Sequence, residues 1–169
     1  MASRETCLKK FSLRGIQLLE SKAYFNDSEV GERGKLRVTI NADLPEDISN
    51  ITKDDVFHIY IHISTEGIKK ENPEEGGPPS FVVEARCGGN FQVMANETFS
   101  RADIEKCLNN IVPPIYSFSR DHVSTVLEKM GLNIKLPHDV FFFGPEKDLD
   151  TTDIEDEKNK LTKTQRRKS

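Results

Sequence analysis

No run of 18 apolar residues occurs in this 169-residue sequence, so no membrane-spanning helix or direct membrane insertion is expected. The opening Met-Ala-Ser-Arg-Glu-Thr-Cys lacks the apolar segment of a signal peptide, which predicts a cytoplasmic protein. Cysteine is scarce. Cys7, Cys87 and Cys107 are odd in number, far apart and without a Cys-x-x-Cys pair, the pattern of reduced thiols. The glycines form no phosphate loop, neither Gly-x-Gly-x-x-Gly nor one ending in Lys-Ser/Thr, and no cofactor is expected. No carboxylate cluster in the folded part has metal-ligand spacing, so no metal site is expected either. A net charge of -4 disfavours general affinity for nucleic acid.

What the sequence does contain points to one domain, residues 1–144, followed by a charged tail over 145–169. Hydrophobic residues make up 36% and charged residues 31%, as expected of a soluble domain with some disordered sequence. The most regular element is a helix over 115–130. Ile115, Phe118, His122, Val123, Val126, Leu127 and Met130 recur at spacings of three and four, giving one apolar face. Pro113 and Pro114 end any earlier helix by about Ile111, and Gly131 supplies the left-handed stop. An earlier helix is capped by Ser100 with Asp103 in the capping-box position, and carries Ile104, Cys107, Leu108 and Ile111 as its stripe.

Four extended stretches precede these helices. Residues 8–19 read as a strand that changes phase: Phe11 and Leu13 share one face, and Ile16 and Leu18 join them only if an extra residue intervenes near Gly15. Leu36, Val38 and Ile40 alternate with Lys35, Arg37 and Thr39. In the strongest strand, Phe57, Ile59, Ile61 and Ile63 line one face, with Val56, His58, Tyr60 and His62 on the other, as in a central strand. Residues 66–79, rich in Gly, Pro and charge, read as a loop, and 80–86 as the returning strand of an antiparallel pair. Cys87-Gly-Gly-Asn then breaks that strand, and residues 132–143, interrupted by Pro137, are extended. The tail passes from an acidic block to Lys and Arg and has almost nothing to bury.

Few residues carry chemistry. His58 and His62 share a strand face about 13 Å apart, too far to chelate one metal, and read as partly buried sheet histidines. Cys87 before Gly88-Gly89 has the look of a nucleophile beside a glycine turn, but no partner follows at a fixed spacing, and a structural break is the plainer reading. No enzyme is expected. The basic end, residues 165–169, reads as solvated tail, since the acidic block beside it competes for the same charges. Phe57, Phe81, Phe91, Phe118, Phe141, Phe142 and Phe143 exceed the obvious needs of one small core; they fit either a core with a subunit interface or a groove for apolar peptide.

Three segments in order resemble the SecB protein-export chaperone family. They are Asp54-Asp-Val-Phe-His-Ile-Tyr-Ile-His-Ile63, Phe81-Val-Val-Glu-Ala-Arg-Cys-Gly-Gly-Asn-Phe91 and Ile115-Tyr-Ser-Phe-Ser-Arg-Asp121. The resemblance implies an α+β fold: a four-stranded antiparallel sheet with two helices on one face, assembled as a homotetramer, a dimer of dimers. It implies an ATP-independent holdase that binds non-native clients in long apolar grooves and passes them to SecA for export. Groove lining would fall to Leu36, Val38, Ile40, Phe81, Val83, Phe118, Leu136, Val140 and Phe141, and SecA contact to Glu20 and Glu84. The long loop over 66–79, residues 21–24 in place of a second acidic position, and the basic tail all depart from export-dedicated members. These departures bear on the SecA link more than on client binding, and admit a second role: a SecB-like chaperone dedicated to one client such as an antitoxin.

Overall fold

The computed structural model describes residues 4–26, 34–69 and 78–138. Helix α1 (Arg4–Lys10) leads into strand β1 (Phe11–Phe25), followed by β2 (Gly34–Asp43), β3 (Val56–Lys69) and β4 (Phe81–Val93). Helices α2 (Arg101–Glu105), α3 (Leu108–Ile111) and α4 (Pro113–Lys129) complete the order. All strand pairs are antiparallel, in the order β1-β4-β3-β2. Strands β2, β3 and β4 form a meander, and β1 closes the far side against β4, leaving β1 and β2 as the edges.

Residues of alternate register separate into two faces. Phe57, Ile59, Ile61 and Ile63 of β3 lie beside Phe91, Gly89, Cys87 and Ala85 of β4, and all are buried. This is the inner face, covered by Ile115, Tyr116, Ser119, Val123 and Leu127 of α4. The phase change in β1 occurs where the glycine sits. Register steps from Leu13–Phe91 to Gly15–Asn90, so one extra residue lets Ile16 and Leu18 join Phe11 and Leu13 on the inner face. A second irregularity between Leu18 and Glu20 restores the phase, and the strand continues to Phe25.

Several sequence expectations need correction. Residues 4–10 are helical, so the strand expected from residue 8 begins at Phe11. Strand β3 runs on through Glu66 to Lys69, into the stretch read as loop. Strand β4 is unbroken across Cys87-Gly-Gly-Asn, because β1 and β3 pair with it on both sides and this ladder overrides the weak strand preference of glycine. Gly89 is required there: a β-carbon would collide with the Ile115 side chain, so its absence lets α4 sit close on the sheet.

The helix expected from Ser100 to about Ile111 is two short helices that part at Lys106–Cys107, with the Ser100–Asp103 capping box in place. Hydrogen bonds from Ser100 and the Lys106 ammonium hold the Asp103 carboxyl down at about 2. In α4 the buried arc is rotated from the expected one: Tyr116 and Ser119 turn inward and Phe118 is 42% exposed. Ser119 is tolerated inside because its hydroxyl donates to the Ile115 carbonyl at 2.8 Å. Gly131, with φ of +79°, ends α4 as expected.

Four phenylalanines close one end of the core. Phe11 packs edge-on against Phe57 and Phe99, at centroid distances of 5.4 and 5.0 Å, and Phe57 stacks on Phe91 at 5.5 Å. Beside them, Cys7 of α1 and Cys107 are joined as a disulfide, with Cα atoms 5.5 Å apart across 100 residues of sequence. This overturns the reading of all three cysteines as reduced thiols. Their spacing concealed the pair because proximity comes only with the fold, and the cysteines therefore no longer argue for a reducing compartment. Among the described residues no helix is long and apolar enough to cross a membrane.

Two measurements check this architecture. In the chain-entropy account a loop of this length stabilises by about 4–5 kcal/mol, so reduction or Cys7→Ser should lower the urea unfolding free energy by roughly 2–4 kcal/mol. Gly89→Ala should cost about 1–3 kcal/mol as the helix is forced off its seat, and an unchanged urea midpoint would contradict the close approach.

Candidate functional site

Helix α4 sits over the middle of the inner face, chiefly on β4 and β3, and so divides that face into two margins. One flank is fixed by His122, whose Nε2 lies 2.9 Å from the Ser21 hydroxyl of β1. At 3.6 residues per turn, Tyr116 and Arg120 project from the opposite flank, toward β3 and β2. The Tyr116 hydroxyl donates to the Pro137 carbonyl at 2.5 Å, and Arg120 lies 2.6 Å from His138 Nδ1. Guanidinium has only donors, so the imidazole nitrogen accepts in that contact.

The β2 margin is apolar. Leu36, Val38, Ile40 and Ala42 pair with Gly67, Thr65, Ile63 and Ile61 of β3, which places all four on the inner face. They are half-buried at the rim of the core, whereas their β3 partners are fully covered. Among the described residues β2 pairs with β3 alone, so its outer backbone edge carries no strand partner. Next to Val38 and Val83, Thr65 is fully buried, and its hydroxyl has no hydrogen-bond partner among the described residues. An extended apolar chain lying along this margin would cover the stripe and find a strand edge for its own backbone groups.

The other described residues expected at a groove differ in exposure. Phe81 and Val83 of β4 are on the inner face but buried, Phe81 against Phe25 of β1. Phe118 is exposed on α4. Leu136 is 5% exposed and packed into the core cluster. Val140, Phe141 and the tail over 145–169 lie outside the described residues, as do residues 70–77 of the expected loop. Of the seven phenylalanines held in excess, Phe57 and Phe91 are core.

The opposite, outer face is polar. Glu20 of β1 and Glu84 of β4 both project there, in register with Arg86 and Lys22 respectively. The Lys22 ammonium, 2.6 Å from Glu20, holds that carboxyl below its usual range. Glu84 is half-buried and accepts from Ser64 at 3.4 Å. Arg86 lies over the Tyr60 ring at 4.8 Å, and His58 Nδ1 is 2.7 Å from the Asn90 side-chain oxygen. His58 and His62 are thus sheet residues of this face, and no group of three metal-ligating side chains occurs among the described residues.

Cys87 is buried beneath α4, where desolvation pushes its thiol up and the Ser119 hydroxyl offsets part of that rise. His58, His122 and His138 are each engaged with other residues. A buried, protonated thiol is a poor nucleophile.

The contacts that sequence reasoning missed are those of Tyr116 with Pro137 and of Arg120 with His138. Tyr116 and Arg120 stand one helical turn apart, but their partners arrive 21 and 18 residues later through the fold. No periodic signal announces such a contact.

No family model and no curated protein matches the chain. A solved structure does: the SecB-like chaperone Rv1957 of Mycobacterium tuberculosis, in complex with a ChAD peptide from the Rv1956 HigA1 antitoxin. The TM-score is 0.56 at 13% identity, over 76% of this chain and 90% of that one. The fold is SecB-like: a four-stranded antiparallel sheet with its helices.

If Cys87 is the inert core thiol described, it should resist a thiol-directed reagent at neutral pH for as long as the protein is folded. Labelling in urea should then follow the unfolding curve, and rapid stoichiometric modification of the native protein would contradict its burial.

Proposed function

We propose that this chain is a SecB-like, ATP-independent chaperone that holds an extended, non-native segment of one dedicated client, such as an antitoxin, along the β2 margin. The observation that carries the reading is the half-buried Leu36–Val38–Ile40 stripe beside a strand edge that has no partner among the described residues. Each aliphatic side chain that a client buries fully is worth about 1.5–3 kcal/mol, so a few such contacts suffice for tight binding. The backbone of the client pairs with the edge without reference to sequence, and alternate side chains enter the apolar margin.

A similar fold solved with an antitoxin peptide supports the dedicated role over general export. The export reading rests on Glu20 and Glu84 of the outer face, one of which is already paired with Lys22. Assembly enters at the opposite edge. Leu18, Leu19, Tyr24 and Phe25 of β1 are 40–48% exposed, a surface suited to a second copy of the chain, and a dimer of dimers remains the arrangement expected.

The test is direct. Fluorescein-labelled, reduced and carboxymethylated α-lactalbumin is permanently unfolded and serves as a generic client. The chain should bind it without nucleotide, and Val38→Ser/Ile40→Ser should weaken binding about ten-fold. Light scattering should show the same oligomer for both proteins. Unchanged affinity in the double variant removes the stripe from the groove, and dissociation of the oligomer reassigns it to the subunit interface.

A further inference from the structure

Among the described side chains of α1, only Cys7 is buried; Lys10 is half-covered, and the others, Leu8 included, are exposed. Seven residues are too few for a helix to persist alone in water, so the Cys7–Cys107 bond is its one buried anchor on α3. The two sulfurs are not placed alike. Cys7 has no exposed surface, and its Sγ accepts from the Asn110 side-chain amide at 3.7 Å. Cys107 lines a pocket of about 240 Å³, together with Lys10, Glu97, Phe99, Asp103 and Lys106. The walls carry charge of both signs in two ion pairs, Lys10 with Glu97 at 2.9 Å and Lys106 with Asp103 at 3.1 Å. Lys10 also lies over the Phe99 ring, 5.0 Å from its centre.

We propose that this pocket is a thiol–disulfide exchange site, which takes a small peptide thiol bearing carboxylates and an ammonium group and directs its sulfur to Cys107. The thiol first loses its proton to solvent. Its thiolate sulfur bonds to Cys107 Sγ as the Cys7–Cys107 bond breaks, and the electron pair leaves on Cys7. The Asn110 amide already donates to that sulfur and steadies the leaving thiolate until water supplies a proton. The incoming thiol is thereby oxidised and Cys7 reduced, while Cys107 keeps a disulfide, now to the ligand. Recognition exchanges one set of ion pairs for another: Lys10 and Lys106 meet the carboxylates of the ligand, and Glu97 and Asp103 meet its ammonium group. The product leaves α1 untethered, because its one buried side chain has become a free thiol.

The oxidised full chain is incubated with reduced glutathione at neutral pH, quenched with N-ethylmaleimide and mapped by peptide mass. A parallel series uses 2-mercaptoethanol, an uncharged thiol, at equal thiolate concentration. The expected first product carries glutathione on Cys107 and the maleimide on Cys7. Glutathione should react about 3- to 10-fold faster than 2-mercaptoethanol, and Lys10→Ser/Lys106→Ser should abolish that advantage. The ratio of the two rates decides even where the variant loosens α1 and speeds both thiols: a ratio near one supports the charged walls, and a retained ratio overturns them as the recognition site. Glutathione found first on Cys7, equal rates in the unmodified chain, or a common rate set by unfolding in urea also overturns the proposal. So does a purified chain in which Cys7 and Cys107 both take the maleimide before any thiol is added.

Discussion

The seat of Ile115 on Gly89 is the contact on which the rest of the subunit depends. A helix packs on a sheet only as closely as the side chains between them allow, and here the sheet offers a bare backbone where the helix offers an isoleucine. That closeness brings Ser119 down to Cys87 and lets Val123 and Leu127 reach the apolar inner face. Full burial of Ile115, Val123 and Leu127 contributes about 1.5–3 kcal/mol each, so lifting the helix would weaken several contacts together. The same seat fixes the rotation of α4. With Ile115 down, His122 must meet β1, and Tyr116 and Arg120 must face the other way.

A sheet covered by one long helix leaves its margins thinly covered, and the two margins here differ in chemistry. The β1 side exposes Leu18 and Phe25 on the inner face and Leu19 and Tyr24 in the same strand. The β2 side carries a narrower aliphatic stripe with Arg37, Thr39 and Asn41 exposed between its members. Long flat edges invite pairing with other chains, and a soluble protein must either pair, cover or charge them. Aromatic bulk on one edge suits a permanent partner, whereas a narrow, half-covered aliphatic stripe backed by a polar outer face suits an occupant that comes and goes.

Much of this was legible in the sequence because it is periodic. The α4 helix itself, the β3 alternation, the capping box at Ser100 and the phase change at Gly15 are local patterns, and each stands in the fold, though the buried arc of α4 is rotated from the expected stripe. What was misread depends on distant neighbours. Cys87-Gly-Gly-Asn looks like a break until two flanking strands hold it extended. Phe118 looked like core and Tyr116 did not, because the apolar count of a helix face cannot register that a serine is satisfied by its own backbone. Cys7 and Cys107 meet across 100 residues, a distance over which spacing carries no information. The stripe at Leu36, Val38 and Ile40 was visible as alternation, but its place at the margin of the core came only with the strand order.

Strand order also explains why binding, if it occurs on this sheet, belongs at the margin. Over β3 and β4 the inner face is closed: Ile59, Ile61, Ile63 and Val83 have no exposed surface left to give. Adding a client there would require removing α4, with the loss of the contacts that define the subunit. At β2 the same kind of side chain is only half-covered, so burial is still available without unfolding anything.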